Sequence, residues 1–306
     1  MQKSTLQEFT AIVEQKNMLQ AKFLSTSLVD ITDDEIAKFE NLLNFYMLRE
    51  NNTVEEIVDK YLNKIGFMMD DQRYFFEHGK YRFSTFAEVE NYYRDFSYMN
   101  SYTVGLGLST YLWKVHRELM RLFYKFLNIS KKTARQCGKY LEIGPGHGEY
   151  FVTAIQNSDF EQYTAVDISK TSVDLTRDYL HYSLPDTRKN CEVIHENIFN
   201  YRTTTLFDVI VMGEVMEHVE NPGDFLRKVY QLSSDDAHIF ITTAINAPDP
   251  DHIYLFNNLA EIFALFEKEN FTVIDYVANN ANNLPLEKAE KRKAAIVPGF
   301  ILKKKR

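Results

Sequence analysis

The chain has 306 residues, of which 45% are hydrophobic and 25% charged, with 23 Phe, 19 Tyr and a formal net charge of −8. That length calls for one large globular domain or two smaller ones, and so many rings need cores or pockets to occupy. The acidity removes any global electrostatic footprint for nucleic acid, no apolar run reaches membrane-spanning length, and the polar start "MQKSTLQEFT" lacks a signal-peptide core. Residence in the cytoplasm is therefore the default expectation. The basic end "LKKKR" is too short to bind RNA or lipid, and Cys137 and Cys191 are expected as reduced thiols rather than a disulfide or a thiolate metal site.

From residue 1 to 128 the pattern predicts helix after helix. Thr32 with Glu35, Thr53 with Glu56 and Thr85 with Glu88 fit the S/T-x-x-E capping box, and apolar residues follow at helical spacing, as in Ile57, Tyr61, Leu62 and Ile65. The last helical stretch, "STYLWKVHRELMRLFYKFL", runs into "NISKKTARQCG", and residues 129–138 are read as a linker.

From 139 to 306 short β-rich runs alternate with helical ones: "KYLEI", "YTAVDI", "CEVIHE", "FDVIVMG", "HIFITTA", then "FTVIDYV" and "GFILKK". This is the grammar of a parallel α/β sheet whose strand ends share one rim, where ligands bind. "NNANNLPLEKAEKRKAA" reads as an exposed insertion before the last strand.

The first strand leads into "LEIGPGHGEY", with glycines at 144, 146 and 148. The order E-x-G-x-G-x-G differs from the G-x-G-x-x-G of dinucleotide folds and suits the close approach of a nucleoside and an amino-acid moiety better than a pyrophosphate on a helix N-terminus. Asp167 ends the second strand, where a carboxylate can accept both ribose hydroxyls of either NAD or S-adenosylmethionine. Asn197 ends the third, within reach of an adenine edge.

With these residues in place, the chain resembles the class I S-adenosylmethionine-dependent methyltransferases over residues 139–306. "LEIGPGHG" is similar to their first motif, "AVDIS" to the second, "ENIF" to the third and "FDVIVMGEVMEHV" to the fourth, all in order at successive strand ends. The resemblance implies a Rossmann-like sheet, mostly parallel with an antiparallel last strand, preceded by an all-helical domain. It also implies S-adenosylmethionine as cofactor, contacted by Glu142, Gly144, Gly146, Gly148, Asp167, Ile168, Asn197, Ile198 and Gly213. Asn197 stands where the family often has Asp.

Methyl transfer is an in-line displacement, so the protein must align a nucleophile and take its proton. Glu214, Glu217 and His218 would share one face of a helical turn, and His252 comes from the next strand's exit. E-x-x-E-H with a later His resembles small-RNA 2′-O-methyltransferases and ubiquinone-pathway O-methyltransferases, in which a divalent ion holds the accepting hydroxyls. That resemblance implies Glu214, Glu217, His218 and His252 as ligands of Mn, Fe, Co or Zn rather than Mg. The same segment occurs in metal-free members, and there His252 or His218 would be the base. His147 is expected to shape cofactor access and His195 to be structural.

The aromatic run 74–126 reads partly as core, and Gly105 and Gly107 within it as the hinge of a lid closing on an apolar or ring-bearing acceptor. The helical half is thus expected to set acceptor specificity and to offer a dimer surface. The favoured activity is methyl transfer to oxygen of a small molecule. Transfer to nitrogen or carbon, to an RNA 2′-oxygen, an NAD-dependent oxidoreductase and a non-catalytic protein of the same fold stay open as alternatives.

Overall fold

The computed structural model describes residues 4–133, 138–282 and 284–305, so Cys137 lies outside it. The first half is helical: α1 (Thr5–Lys16), α2 (Met18–Ser27), α3 (Asp33–Glu50), α4 (Val54–His78), α5 (Phe86–Arg94), α6 (Phe96–Leu112) and α7 (Lys114–Thr133). The boxes at Thr32 and Thr53 form reciprocally, and the Glu88 carboxylate turns back to accept the Thr85 N–H at 3.0 Å. Each satisfies donors that a bare helix start would leave without partners.

The second half runs β1 (Lys139–Ile143), α8 (Glu149–Asn157), β2 (Gln162–Asp167), α9 (Lys170–Ser183), β3 (Cys191–His195), β4 (Phe207–Gly213), α10 (Pro222–Leu232), β5 (Ser233–Thr242), α11 (Leu259–Lys268), β6 (Phe271–Asn279), α12 (Leu286–Lys291) and β7 (Val297–Lys304). Among the described residues, seven strands form one sheet in the order β3-β2-β1-β4-β5-β7-β6, with only β7 antiparallel to its neighbours. The order reverses between β1 and β4, which opens a crevice at their carboxyl ends. Register aligns that rim: Ile143 pairs with Val166 and Met212, Asp167 with His195, and Gly213 with Thr242.

Side-chain alternation along the buried strands divides the core. Leu141, Ile143, Ile210 and Met212 face α10 and α11, whereas Tyr140, Ala165, Val209 and Val211 face α7 and α8. Helices α1, α3, α4 and α6 then pack on Val152, Leu175 and Tyr179 of α8 and α9, so the helical half forms a further layer. At its centre lies α6, buried on nearly every side.

Three expectations need correction. The stretch read as a linker from 129 is helical to Thr133, because Met120, Phe123, Phe126 and Leu127 commit α7 to the sheet and the basic end Lys131–Lys132 suits a helix C-terminus. Gly105 and Gly107 lie inside the unbroken α6 and are no hinge. A Cβ at Gly105 would sit 2.7 Å from the Lys64 Cβ, so these glycines let α6 approach its neighbours closely. The segment 279–295 is not a free insertion either, since it contains α12, whose Ala289 is fully buried.

Candidate active site

The glycine turn is built by backbone conformations that disfavour side chains. Gly144, Gly146 and Gly148 have φ of +68°, +55° and +82°. A Cβ on Gly144 would stand 2.8 Å from Val215 Cγ2, but one on Gly146 would meet nothing within 4 Å. Gly146 thus opens onto a cavity of about 460 Å³ along the rim, a size within the usual range for small-ligand sites. Such a gap, floored by backbone and free of side chains, fits a nucleoside cofactor that must lie against the main chain.

Asp167 anchors this region. Its buried carboxylate accepts the Ser169 N–H at 2.7 Å and the Gly146 N–H at 3.2 Å, and it also lines the cavity. Burial raises its pKa to about 6, moderated by those two bonds. Ile168 and Phe199, each 39% exposed, flank Asp167 and Asn197 and offer apolar surface suited to a purine. Phe199 packs edge-on against Phe225 at 5.0 Å, and Asn197 Oδ1 caps the Phe199 N–H at 2.9 Å.

Of the residues expected to hold the cofactor, Gly144, Gly146, Asp167, Ile168, Asn197, Ile198 and Gly213 line this cavity. Glu142 and Gly148 do not. Glu142 is buried behind the turn, where the Tyr140 hydroxyl donates to it at 2.5 Å and burial lifts its pKa to about 8. Gly148 caps α8 and packs against Thr176. His147 lines the cavity, held neutral by burial with a pKa near 4, while His195 meets the Ile168 carbonyl at 3.0 Å.

Past β4 the chain makes a 3-10 helical turn, Met216–His218, with Glu214 outside it. Glu214 itself has φ +52°, a left-handed conformation that costs a non-glycine residue on the order of 1 kcal/mol or more. Its N–H is held by the Thr242 carbonyl at 3.1 Å. Glu217 Oε2 accepts from Thr243 Oγ1 at 2.7 Å, but Glu217 Oε1 and Glu214 Oε1 are buried without partners. Burial raises the pKa of both carboxyls, and the neighbouring Glu214 charge raises that of Glu217 further.

Two imidazoles converge on this turn. His218 Nδ1 lies 3.1 Å from the Asp251 carbonyl and 3.3 Å from Asp251 Oδ2, and His252 Nδ1 lies 2.6 Å from the Ala247 carbonyl. Since carbonyls only accept, Nδ1 carries a proton in both rings, which leaves Nε2 as the atom of each ring that could bind a metal. The rings meet nearly perpendicular, with centroids 4.7 Å apart. Ligand atoms of Glu217, His218 and His252 all fall within 4.8 Å of one another, a donor set that fits a transition-type divalent ion. Glu214, expected as a fourth ligand, falls outside this converging set and faces the cavity instead. Burial depresses the His252 pKa well below its ordinary value, and of the two candidate bases only His218 reaches the cavity wall.

The helical half completes the enclosure. Tyr93 of α5, Met99, Tyr102 and Leu106 of α6 and Leu119 of α7 give the cavity an apolar wall. The Tyr93 hydroxyl reaches His218 Nδ1 at 3.1 Å. Below them Lys64 of α4 forms an ion pair with Asp249, with side chains 4% and 9% exposed, and lies 5.3 Å from the centre of the Tyr102 ring.

A glycine turn, a buried carboxylate at the end of β2 and this strand order coincide with a match to a known family. Residues 111–281 match the methyltransferase domain family. The chain belongs to that family. Sheet topology and motif order are those of the class I, S-adenosylmethionine-dependent methyltransferases rather than of an NAD-dependent oxidoreductase. The chain is 31% identical over 106 residues to the mitochondrial ubiquinone biosynthesis O-methyltransferase of Schizosaccharomyces pombe, a match spanning 34% of this chain and 37% of that one. The methyltransferase also overlaps solved structures at low identity. A cyclopropane synthase from Mycobacterium tuberculosis aligns with TM-score 0.47 and 13% identity over 60% of this chain and 83% of the other. A methyltransferase from Thiobacillus denitrificans, in complex with S-adenosyl-L-homocysteine, aligns with TM-score 0.45 and 13% identity over 60% and 91%. Among the described residues no helix is long and apolar enough to cross a membrane.

Sequence reasoning passed over several site residues. Asp251 sits beside His252 in the "DPDH" stretch, and its signal was present but unused. Tyr93 and Phe199 carry no local pattern that separates them from core residues, because only the tertiary fold turns them toward the site.

Proposed function

We propose that this methyltransferase acts on a hydroxyl oxygen of a small, ring-bearing acceptor, with a divalent ion held by Glu217, His218 and His252. The observation that carries this reading is the convergence of those three donors within 4.8 Å beside an apolar cavity that also contains the glycine turn. The partial likeness to a ubiquinone biosynthesis O-methyltransferase supports oxygen as the target.

Asp167 would hold the ribose of S-adenosylmethionine and the main chain of Gly144 to Gly146 would lie along it, and the cofactor would supply an electrophilic methyl group. A divalent ion, when bound, lowers the pKa of a hydroxyl and fixes its direction. The chain's own part is alignment and dryness. Asp251 and Tyr93 lock the His218 ring, the Ala247 carbonyl locks His252, and such outer partners orient donor atoms. Tyr93, Met99, Tyr102 and Leu106 exclude water and favour a flat apolar ring over a charged chain. Glu214, strained and facing the cavity, is placed to receive the acceptor's proton.

The test is methyl transfer to 3,4-dihydroxybenzoate, followed by mass and NMR analysis of the product. Chelator is expected to lower turnover at least tenfold and Mn or Zn to restore it, whereas Glu217→Gln should not recover. Turnover indifferent to chelator would remove the metal from the proposal, and methyl found on nitrogen or carbon in an acceptor panel would overturn the choice of oxygen.

A further inference from the structure

One imidazole in the cavity wall has no part in the chemistry above. His116, in the first turn of α7, lines the cavity well away in sequence from the acid–imidazole cluster. Its Nδ1 lies 2.9 Å from Ser109 Oγ, and that hydroxyl lies 2.6 Å from the Leu106 carbonyl. A carbonyl can only accept, so the single Ser109 proton is committed to Leu106, and Ser109 Oγ must accept from His116 Nδ1–H. This fixes the tautomer. Nε2 is left as an unprotonated lone pair, and among the described residues none forms a hydrogen bond with it. Trp113, with its ring centre 4.9 Å away, holds the imidazole plane. Burial depresses the pKa of the ring to about 3, so the lone pair persists at neutral pH.

What would such a lone pair recognise? It shares the cavity wall with His147 of the glycine turn, and α6, which carries its partner Ser109, presses on that same turn, since a Cβ on Gly107 would lie 3.2 Å from His147 Cβ. The turn is where the amino-acid end of the methyl donor belongs. That end carries a carboxylate, which a lone pair repels, and an ammonium group, whose N–H bonds it would accept.

We propose that His116 Nε2 binds the α-ammonium group of the methyl donor, an inference that rests on S-adenosylmethionine as the donor. Calorimetry tests it with S-adenosylhomocysteine and with its deamino analogue, in which hydrogen replaces the α-amino group. His116→Phe should weaken S-adenosylhomocysteine about tenfold or more, the usual worth of a hydrogen bond to a charged group, and leave the analogue unchanged within about twofold. His116→Gln, whose amide oxygen can stand near the Nε2 position, should recover most of the loss. The wild type should itself prefer S-adenosylhomocysteine to the analogue by about tenfold or more, a comparison that needs no variant to fold. Equal wild-type binding of the two ligands, equal losses for both in His116→Phe, or no loss at all overturns the assignment. Failure of the wild type to bind S-adenosylhomocysteine would overturn the donor assignment and this inference together, whereas normal binding with an indifferent His116 overturns this inference alone.

Discussion

Replacing Gly107 by alanine sets two physical effects against each other with opposite signs. Glycine in a helix interior is worse than alanine by about 1 kcal/mol, so propensity alone predicts a more stable protein. Packing predicts the reverse. The added methyl would lie well inside contact distance of the Tyr46 hydroxyl, 3.2 Å from its ring carbon Cζ and 3.2 Å from His147 Cβ. Tyr46 is 1% exposed and cannot swing aside, and overpacking of this kind costs about 1–3 kcal/mol. The expected net result is a loss of up to about 2 kcal/mol, or a fall of up to about 3 °C in midpoint for a 306-residue chain. Thermal unfolding of Gly107→Ala, Tyr46→Phe and the double variant measures it. The Tyr46 hydroxyl is buried without a partner, so its removal alone should be nearly neutral. The methyl should then be tolerated better in the Tyr46→Phe background, with a coupling of about 1 kcal/mol or more. A higher midpoint for Gly107→Ala with Tyr46 intact would refute the reasoning and revive α6 as a flexible element.

Two further predictions follow from buried charge. Lys64→Met leaves the buried Asp249 carboxyl without its cation between α4 and the loop after β5, to stay charged unpaired or to take up a proton, and should cost about 3–5 kcal/mol in denaturant unfolding, most of it regained in Lys64→Met with Asp249→Asn. If the single and double variants are equally unstable, the pair is not what joins those elements. Asp167 has a raised pKa of about 6, and only its ionised form would accept ribose hydroxyls in the proposed cradle. Affinity for S-adenosylhomocysteine should therefore be full above that pH and fall as pH drops through it, and Asp167→Asn should abolish the dependence. A profile unchanged by Asp167→Asn would assign the effect elsewhere.

The fold was largely legible because buried strands announce themselves. "KYLEI" and "FDVIVMG" coincide with β1 and β4, since strands covered on both faces read as continuous apolar runs. Boundaries were harder where packing overrides polarity, as at the end of α7. In the site, Gly146 and Asp167 were readable from spacing and strand position. Glu142 was not, because its motif position does not reveal that its side chain turns behind the loop onto Tyr140. The glycines of α6 misled for a related reason: a glycine that admits a neighbour and one that permits a hinge look alike until the neighbour is seen. His116 escaped notice because its tautomer depends on Ser109 and Leu106, one helix away.

Calorimetric titration of S-adenosylhomocysteine into the wild-type protein and Asp167→Ala tests the cofactor cradle most directly. With two ribose hydroxyls losing a charged acceptor, each worth about 1.5–3 kcal/mol, affinity should drop by about a hundredfold or more. Equal affinities, or no binding by the wild-type chain, would contradict the placement of the cofactor over the glycine turn.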